Sequence, residues 1–193
     1  MNTTTPPDYM TGAELQTLRE ACHLSREELA DLAGVQARTV KHWENGRAAV
    51  PADVADVARG MDAAIQQAAA HELAQVQQGQ HPSTAHGAAC VLLRYKDNTD
   101  AKGLDGWTPT PCAASASAAI VARVLAGARW HSLQQGKPAP VLRVVWFDAA
   151  EFEEWRRLQG LEGLRDSHPL RQRWAGHAIA KQAIPHRLDQ PPA

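Results

Sequence analysis

Between Thr11 and Gly46 the chain carries start and stop signals for three short helices in succession, and no other feature of its 193 residues restricts the fold as much. Leu15, Leu18 and Cys22 recur at helical spacing in the first helix. Ser25 is followed three residues later by Glu28, the form of a capping box, and Leu29, Leu32 and Ala33 then supply the apolar face of the second. Gly34 ends it. The third runs from about Gln36 to Asn45, with Val40 and Trp43 on one side and Gly46 where a left-handed cap residue is expected.

Pro51, at a favoured first-turn position, opens a fourth helix whose stripe Val54, Val57, Met61, Ile65, Ala69, Leu73 and Val76 continues to about Gln78. At about 1.5 Å per residue it spans roughly 40 Å. The small domain before it cannot cover that length, so its far half needs the C-terminal region or a second subunit. Residues 79–89, containing GQHPSTAHG, have the composition of a hinge and set the expected domain boundary. Cys90 to Tyr95 and Pro140 to Phe147 look like strands flanking a helix from Ala114 to Gln135 that is rich in small residues. Asp148 and Glu151 form a second capping-box pattern ahead of Phe152, Trp155 and Leu158.

Strand, helix, strand implies a right-handed parallel crossover, and a two-stranded sheet is small enough to invite pairing across a dimer. The expected fold is mainly α with a small α+β part: a helical bundle over 10–78, a linker, and a strand-helix-strand-helix dimerisation domain over 90–160. Residues 1–9, polar with a Pro pair, read as a disordered tail, and Met10 would itself serve as a start. Residues 161–193 read as a basic extension with one marginal helix after Pro169.

Formal net charge is −1, so contact with nucleic acid has to come from a local patch. Cys22, Cys90 and Cys112 are odd in number, widely spaced and without a CxxC pair, and no apolar run has the length of a signal peptide or membrane span. A reducing cytoplasm is therefore expected, with no membrane partner. His81, His86, Cys90 and Cys112 match no structural zinc spacing, and the chain has no nucleophile elbow, phosphate loop or metal-hydrolase signature. No metal, no other cofactor and no catalysis are expected.

Two helices joined by a tight glycine turn make the pattern of a helix-turn-helix, in which the later helix enters the major groove. On that later helix Arg38, Lys41, His42 and Asn45 share one face while Val40 and Trp43 share another. A solvated basic surface is the plain alternative. The complete turn, with both flanking helices in register, favours DNA.

Residues 12–51, with LREACHLSREELADLAGV followed by TVKHWENG, resemble the Cro and phage-repressor (XRE) class of helix-turn-helix proteins. MTGAELQTLREA, then WENGRAAVPADV leading into a long helix, and later LLRY, are similar more narrowly to anti-CRISPR-associated autorepressors and their chromosomal relatives. This chain is longer, with additional residues around the second strand and at the C-terminus.

The resemblance implies base reading or groove-edge contact by Gln36, Ala37, Arg38, Lys41 and His42, and phosphate contact by Arg26, Thr39, Asn45 and Arg47. Gln suits adenine, Arg suits guanine, and an Ala methyl can meet a thymine methyl. Arg26 stands where the class commonly has Gln. Arg19 and Glu44 match positions that form an internal ion pair, and Trp43 anchors the helix to the core. The implied function is a homodimeric repressor on an inverted repeat of double-stranded DNA, autoregulating its own operon. The alternatives are an antitoxin whose C-terminal half holds a toxin protein, and a repressor that also binds RNA or a small ligand, with Trp174 stacking on bases.

Overall fold

The computed structural model describes residues 9–86, 89–101, 104 and 112–183. Most of the expected N-terminal tail, residues 184–193 and the side chain of His86 lie outside the described residues. The elements are α1 (Gly12–Ala21), α2 (Arg26–Ala33), α3 (Ala37–Glu44), α4 (Ala52–Gln78), a 3-10 helix (Pro82–His86), β1 (Cys90–Arg94), α5 (Ala113–Gln135), β2 (Leu142–Trp146), α6 (Ala149–Leu158) and α7 (His168–Ala183). The fold is mainly helical with a small α+β part, as the sequence pattern predicts. The chain divides into two compact units, residues 1–66 and 67–193. The division falls inside α4, ahead of the hinge-like 79–89 stretch.

In the first unit, side-chain caps start α1 and α2, and left-handed residues follow α1, α2 and α3. Thr11 Oγ1 accepts from Glu14 N at 3.2 Å while Glu14 Oε2 accepts from Thr11 N at 2.7 Å, and Ser25 and Glu28 repeat the arrangement at 3.0 and 2.8 Å. Such caps contribute about 1 kcal/mol each. Gly34 and Gly46 end α2 and α3 at φ 66° and 68°, and His23 takes the same conformation after α1 at φ 58°. Leu15, Leu29, Val40, Trp43, Val54 and Ala58 form the core. Gly12 permits a close approach: a Cβ there would lie 2.1 Å from the carbonyl oxygen of Trp43 and 2.8 Å from that of Glu44.

In the second unit β1 and β2 pair in parallel, with Leu92 beside Val144 and Arg94 beside Trp146. β1 is largely buried, and its Val91 and Leu93, with Tyr95 just after it, join Phe147, Phe152, Trp155, Leu170 and Trp174 in one core. Phe147 meets the Trp174 ring edge-on at 5.7 Å, and Phe152 stacks on Trp155 at 6.0 Å.

Two expectations change here. As far as Ala183 the C-terminal stretch is more than a basic extension with a marginal helix: α7 begins at His168, Trp174 is 3% exposed, and Arg171 lies 4.0 Å over the Phe147 ring while pairing with Asp166 at 2.6 Å. Its arginines read as a solvated end only because sequence does not show that Arg171 has Asp166 and an aromatic face to receive it. The hinge-like segment also packs: His81 and Ser83 are buried, and a Cβ on Gly176 of α7 would lie 2.1 Å from Ser83 O.

The second half of α4 finds its cover within this unit. Gly127 of α5 lets Leu73 approach closely, since a Cβ there would lie 2.6 Å from Leu73 Cδ2. Beside Leu73, Glu72 is buried with an acceptor role for several donors. Its Oε2 accepts from His81 Nε2 at 2.7 Å and its Oε1 is 3.0 Å from His168 Nε2, with Gln172 Nε2 donating to the same oxygen. His168 Nδ1 is 3.0 Å from the Tyr95 hydroxyl, and His81 Nδ1 is 2.8 Å from Ser83 Oγ. Burial works against both charges of the central pair. Burial would raise the Glu72 carboxyl, but hydrogen bonds and charge from His168 and His81 hold it at about 2. Burial would lower His81, but hydrogen bonds with Cys90 and Glu72 raise it to about 9.

Gly12→Ala should destabilise the first unit by about 1–3 kcal/mol through overpacking against backbone, read as a lower midpoint in chemical denaturation. An unchanged midpoint would contradict the close approach. The second unit should be pH-sensitive with a definite sign. A raised histidine stabilises fully below its unfolded value of 6.5 and ceases to do so as pH climbs through about 9. The lowered Glu72 stabilises above its ordinary 4.5 and is lost as pH falls toward about 2. Stability should therefore drop by roughly 3 kcal/mol between pH 6.5 and 9, and His81→Gln should flatten that slope.

Candidate nucleic-acid interface

The sequence folds α3 so that one side is anchored and the other open. Val40 is fully buried and Trp43 nearly so, and these two, three residues apart, fix the rotation of the helix on the core. Arg38 and Lys41 consequently project to solvent, together with Gln36 before the helix and Asn45 and Arg47 after it, while Ala37, Thr39 and His42 are half-buried along the margins. Gln36 is the N-cap, with extended backbone, and its side chain makes no capping hydrogen bond. Asn45 is the C-cap, and the turn beyond it is closed by Arg47 N donating to His42 O at 2.9 Å.

Glu44 lies at the other end of the anchored side. Its Oε1 accepts from Arg19 Nε and its Oε2 from Arg26 Nε, each at 2.6 Å, and its side chain is wholly buried. Arg19 also donates to the Leu24 carbonyl at 2.8 Å. One carboxylate thus ties α1, the start of α2 and the end of α3. Burial would raise the Glu44 carboxyl, yet the hydrogen bonds from Arg19 and Arg26 hold it below its ordinary value. Arg26 is therefore engaged with Glu44 through Nε while remaining 39% exposed at the first turn of α2.

Residues 11–73 match the family model of a helix-turn-helix domain. The matched segment is a helix-turn-helix. It spans α1 to α3 and most of α4, and it supports a role for the chain as a DNA-binding regulator. No curated protein matches the chain.

The helix-turn-helix does not account for the buried Glu72 cluster, which sequence reasoning missed. Its one signal was position: Glu72 falls three residues after Ala69 and four before Val76, on the apolar side of α4, where an acid needs partners. Ser83, His81 and Glu72 form a chain resembling a hydrolytic triad. However, Ser83 is 1% exposed and its Oγ already accepts from Val91 N at 2.8 Å. That serine is closed to any substrate, so the cluster works as a polar core. His81 and Cys90, considered above as metal ligands, belong to it, and no group of three metal-ligating side chains exists among the described residues. Nor is any described helix long and apolar enough to cross a membrane.

Glu44→Gln removes the charge that two guanidiniums share and leaves buried Arg19 only the exposed carboxylate of Glu20, at 3.3 Å. The expected loss is about 3–5 kcal/mol in the first unit, measured by urea denaturation, the usual cost of breaking a buried pair from one side. A loss below about 1 kcal/mol, typical of exposed pairs, would contradict the tie.

Proposed function

We propose that the protein is a sequence-specific transcriptional repressor that binds an inverted repeat as a homodimer. The observation that carries this reading is the exposed row Gln36, Arg38, Lys41 and Asn45 on a helix whose opposite side is locked by Val40 and Trp43. In this reading Gln36, Ala37, Arg38, Lys41 and His42 meet base edges, and Arg38 gives the strongest discrimination through a bidentate contact with guanine. Arg26, Thr39, Asn45 and Arg47 grip the flanking phosphates, with Arg26 presented from its Glu44 tie. Arg19, Trp43 and Glu44 hold the reading helix and touch no DNA.

The sequence resemblance to anti-CRISPR-associated autorepressors supports an operator next to the protein's own gene. Repression follows from occupancy of the promoter. An added RNA-binding role for the C-terminal region loses its two most suggestive side chains, since Trp174 and Arg171 lie in the core.

Fluorescence anisotropy with DNA from immediately upstream of the gene, in excess nonspecific competitor, tests the reading. Wild-type protein should bind well above competitor, and Arg38→Ala should cost about 1–3 kcal/mol. Equal binding by wild type and variant, or no preference over random DNA, would overturn it.

A further inference from the structure

β2 has one edge bonded to β1 and, among the described residues, no strand on the other. Alternate residues of a strand turn their backbone groups to the same side. Cys90 N donates to Val141 O at 3.1 Å and Phe147 N to Arg94 O at 2.8 Å, which directs the odd-numbered residues of β2 toward β1. The N–H and C=O groups of Leu142, Val144 and Trp146 therefore face the open side. The far margin of β1, by contrast, is closed by side chains: Val91 N donates to Ser83 Oγ at 2.8 Å and Tyr95 N to Ser117 Oγ at 3.1 Å.

Proteins ordinarily blunt such an edge with lysine, proline or a bulge. The strand Leu-Arg-Val-Val-Trp contains no lysine or proline, and it pairs with β1 residue for residue. Val144 is 43% exposed and Trp146 51%, with Val141 just before them at 59%. Trp130 and Leu133, exposed in the last turns of α5, lead through residues 136–141 into the same strand. Exposed large apolar side chains concentrated along one open strand are what an interaction surface supplies.

We propose that a second copy of this chain closes the edge, its β2 running antiparallel across a two-fold axis at Val144 to make a four-stranded sheet. The biological role of this interface rests on the dimeric reading above, although its geometry does not. In this register Val144 stands opposite the partner's Val144, and Leu142 opposite the partner's Trp146. All three outward-facing residues then exchange backbone bonds, about six in total. Apolar side chains meet apolar side chains on one face.

The only charge in the strand, Arg143, lies on the other face opposite the partner's Val145, so no like charges oppose each other. A register centred on Arg143 would instead set two guanidiniums together. A strand from an unrelated protein would fill the hydrogen bonds but would not give the two-fold axis that an inverted repeat requires.

Sedimentation equilibrium of the full chain, without DNA and at micromolar concentration, tests the proposal. The wild type should show twice the 20.9 kDa chain mass. Val144→Lys and Val144→Glu change a half-exposed side chain whose own N–H does not bond β1. Each should keep its circular dichroism and sediment as a monomer, and an equal mixture of the two should recover the dimer. A monomeric wild type, a variant that stays dimeric, or a mixture that stays monomeric would each overturn the proposal. Failure to bind DNA would leave the dimer standing, and a monomer that still binds a half-site would leave the DNA reading standing.

Discussion

Glu44 is the residue on which the placement of α3 depends. A carboxylate buried at the end of α3 has to be matched by charge, and it is matched twice, by Arg19 from α1 and by Arg26 from the start of α2. Removing either guanidinium leaves one of the two buried Glu44 oxygens without its donor. The pair adds little net stability over an apolar core, but it admits only one relative placement of the three helices. With Gly12 allowing α1 to touch the last carbonyls of α3, that placement turns Arg38 and Lys41 outward.

The second unit repeats the device with different chemistry. Glu72 is also a buried carboxylate that joins separate segments, here α4, the 3-10 segment and α7, but its partners are imidazoles and an amide. Guanidinium stays charged throughout the accessible pH range, whereas imidazole titrates within it. The first unit is thus held by a tie that only acid loosens, through Glu44, whereas the tie in the second unit is loosened by alkali as well, through His81.

Legibility in the sequence followed the range of the interaction. Ser25 with Glu28, Gly34 and Gly46 announce themselves because capping and left-handed turns are local chemistry. The end of α1 was less plain, since His23 and not glycine takes the left-handed turn. The exposed face of α3 was legible because Val40 and Trp43 fix its opposite by helical period alone. Glu72 was not, because its partners lie up to a hundred residues away on α7 and nothing local marks an acid as buried. The same long range hid Trp174 and Arg171, which composition assigned to a solvated end and packing assigns to the core. Pairing of β1 with β2 in parallel was readable from the strand-helix-strand order, whereas the unequal burial of the two strands was not.

The proposed function requires two copies of α3, related by a two-fold axis, to recognise DNA together. Selection of bound sequences from a random duplex library by the full chain tests it most directly. A two-fold dimer should enrich a palindrome whose half-site centres lie roughly 34 Å, one helical turn or a multiple of it, apart. Enrichment of a single asymmetric site, or of no sequence at all, would contradict it.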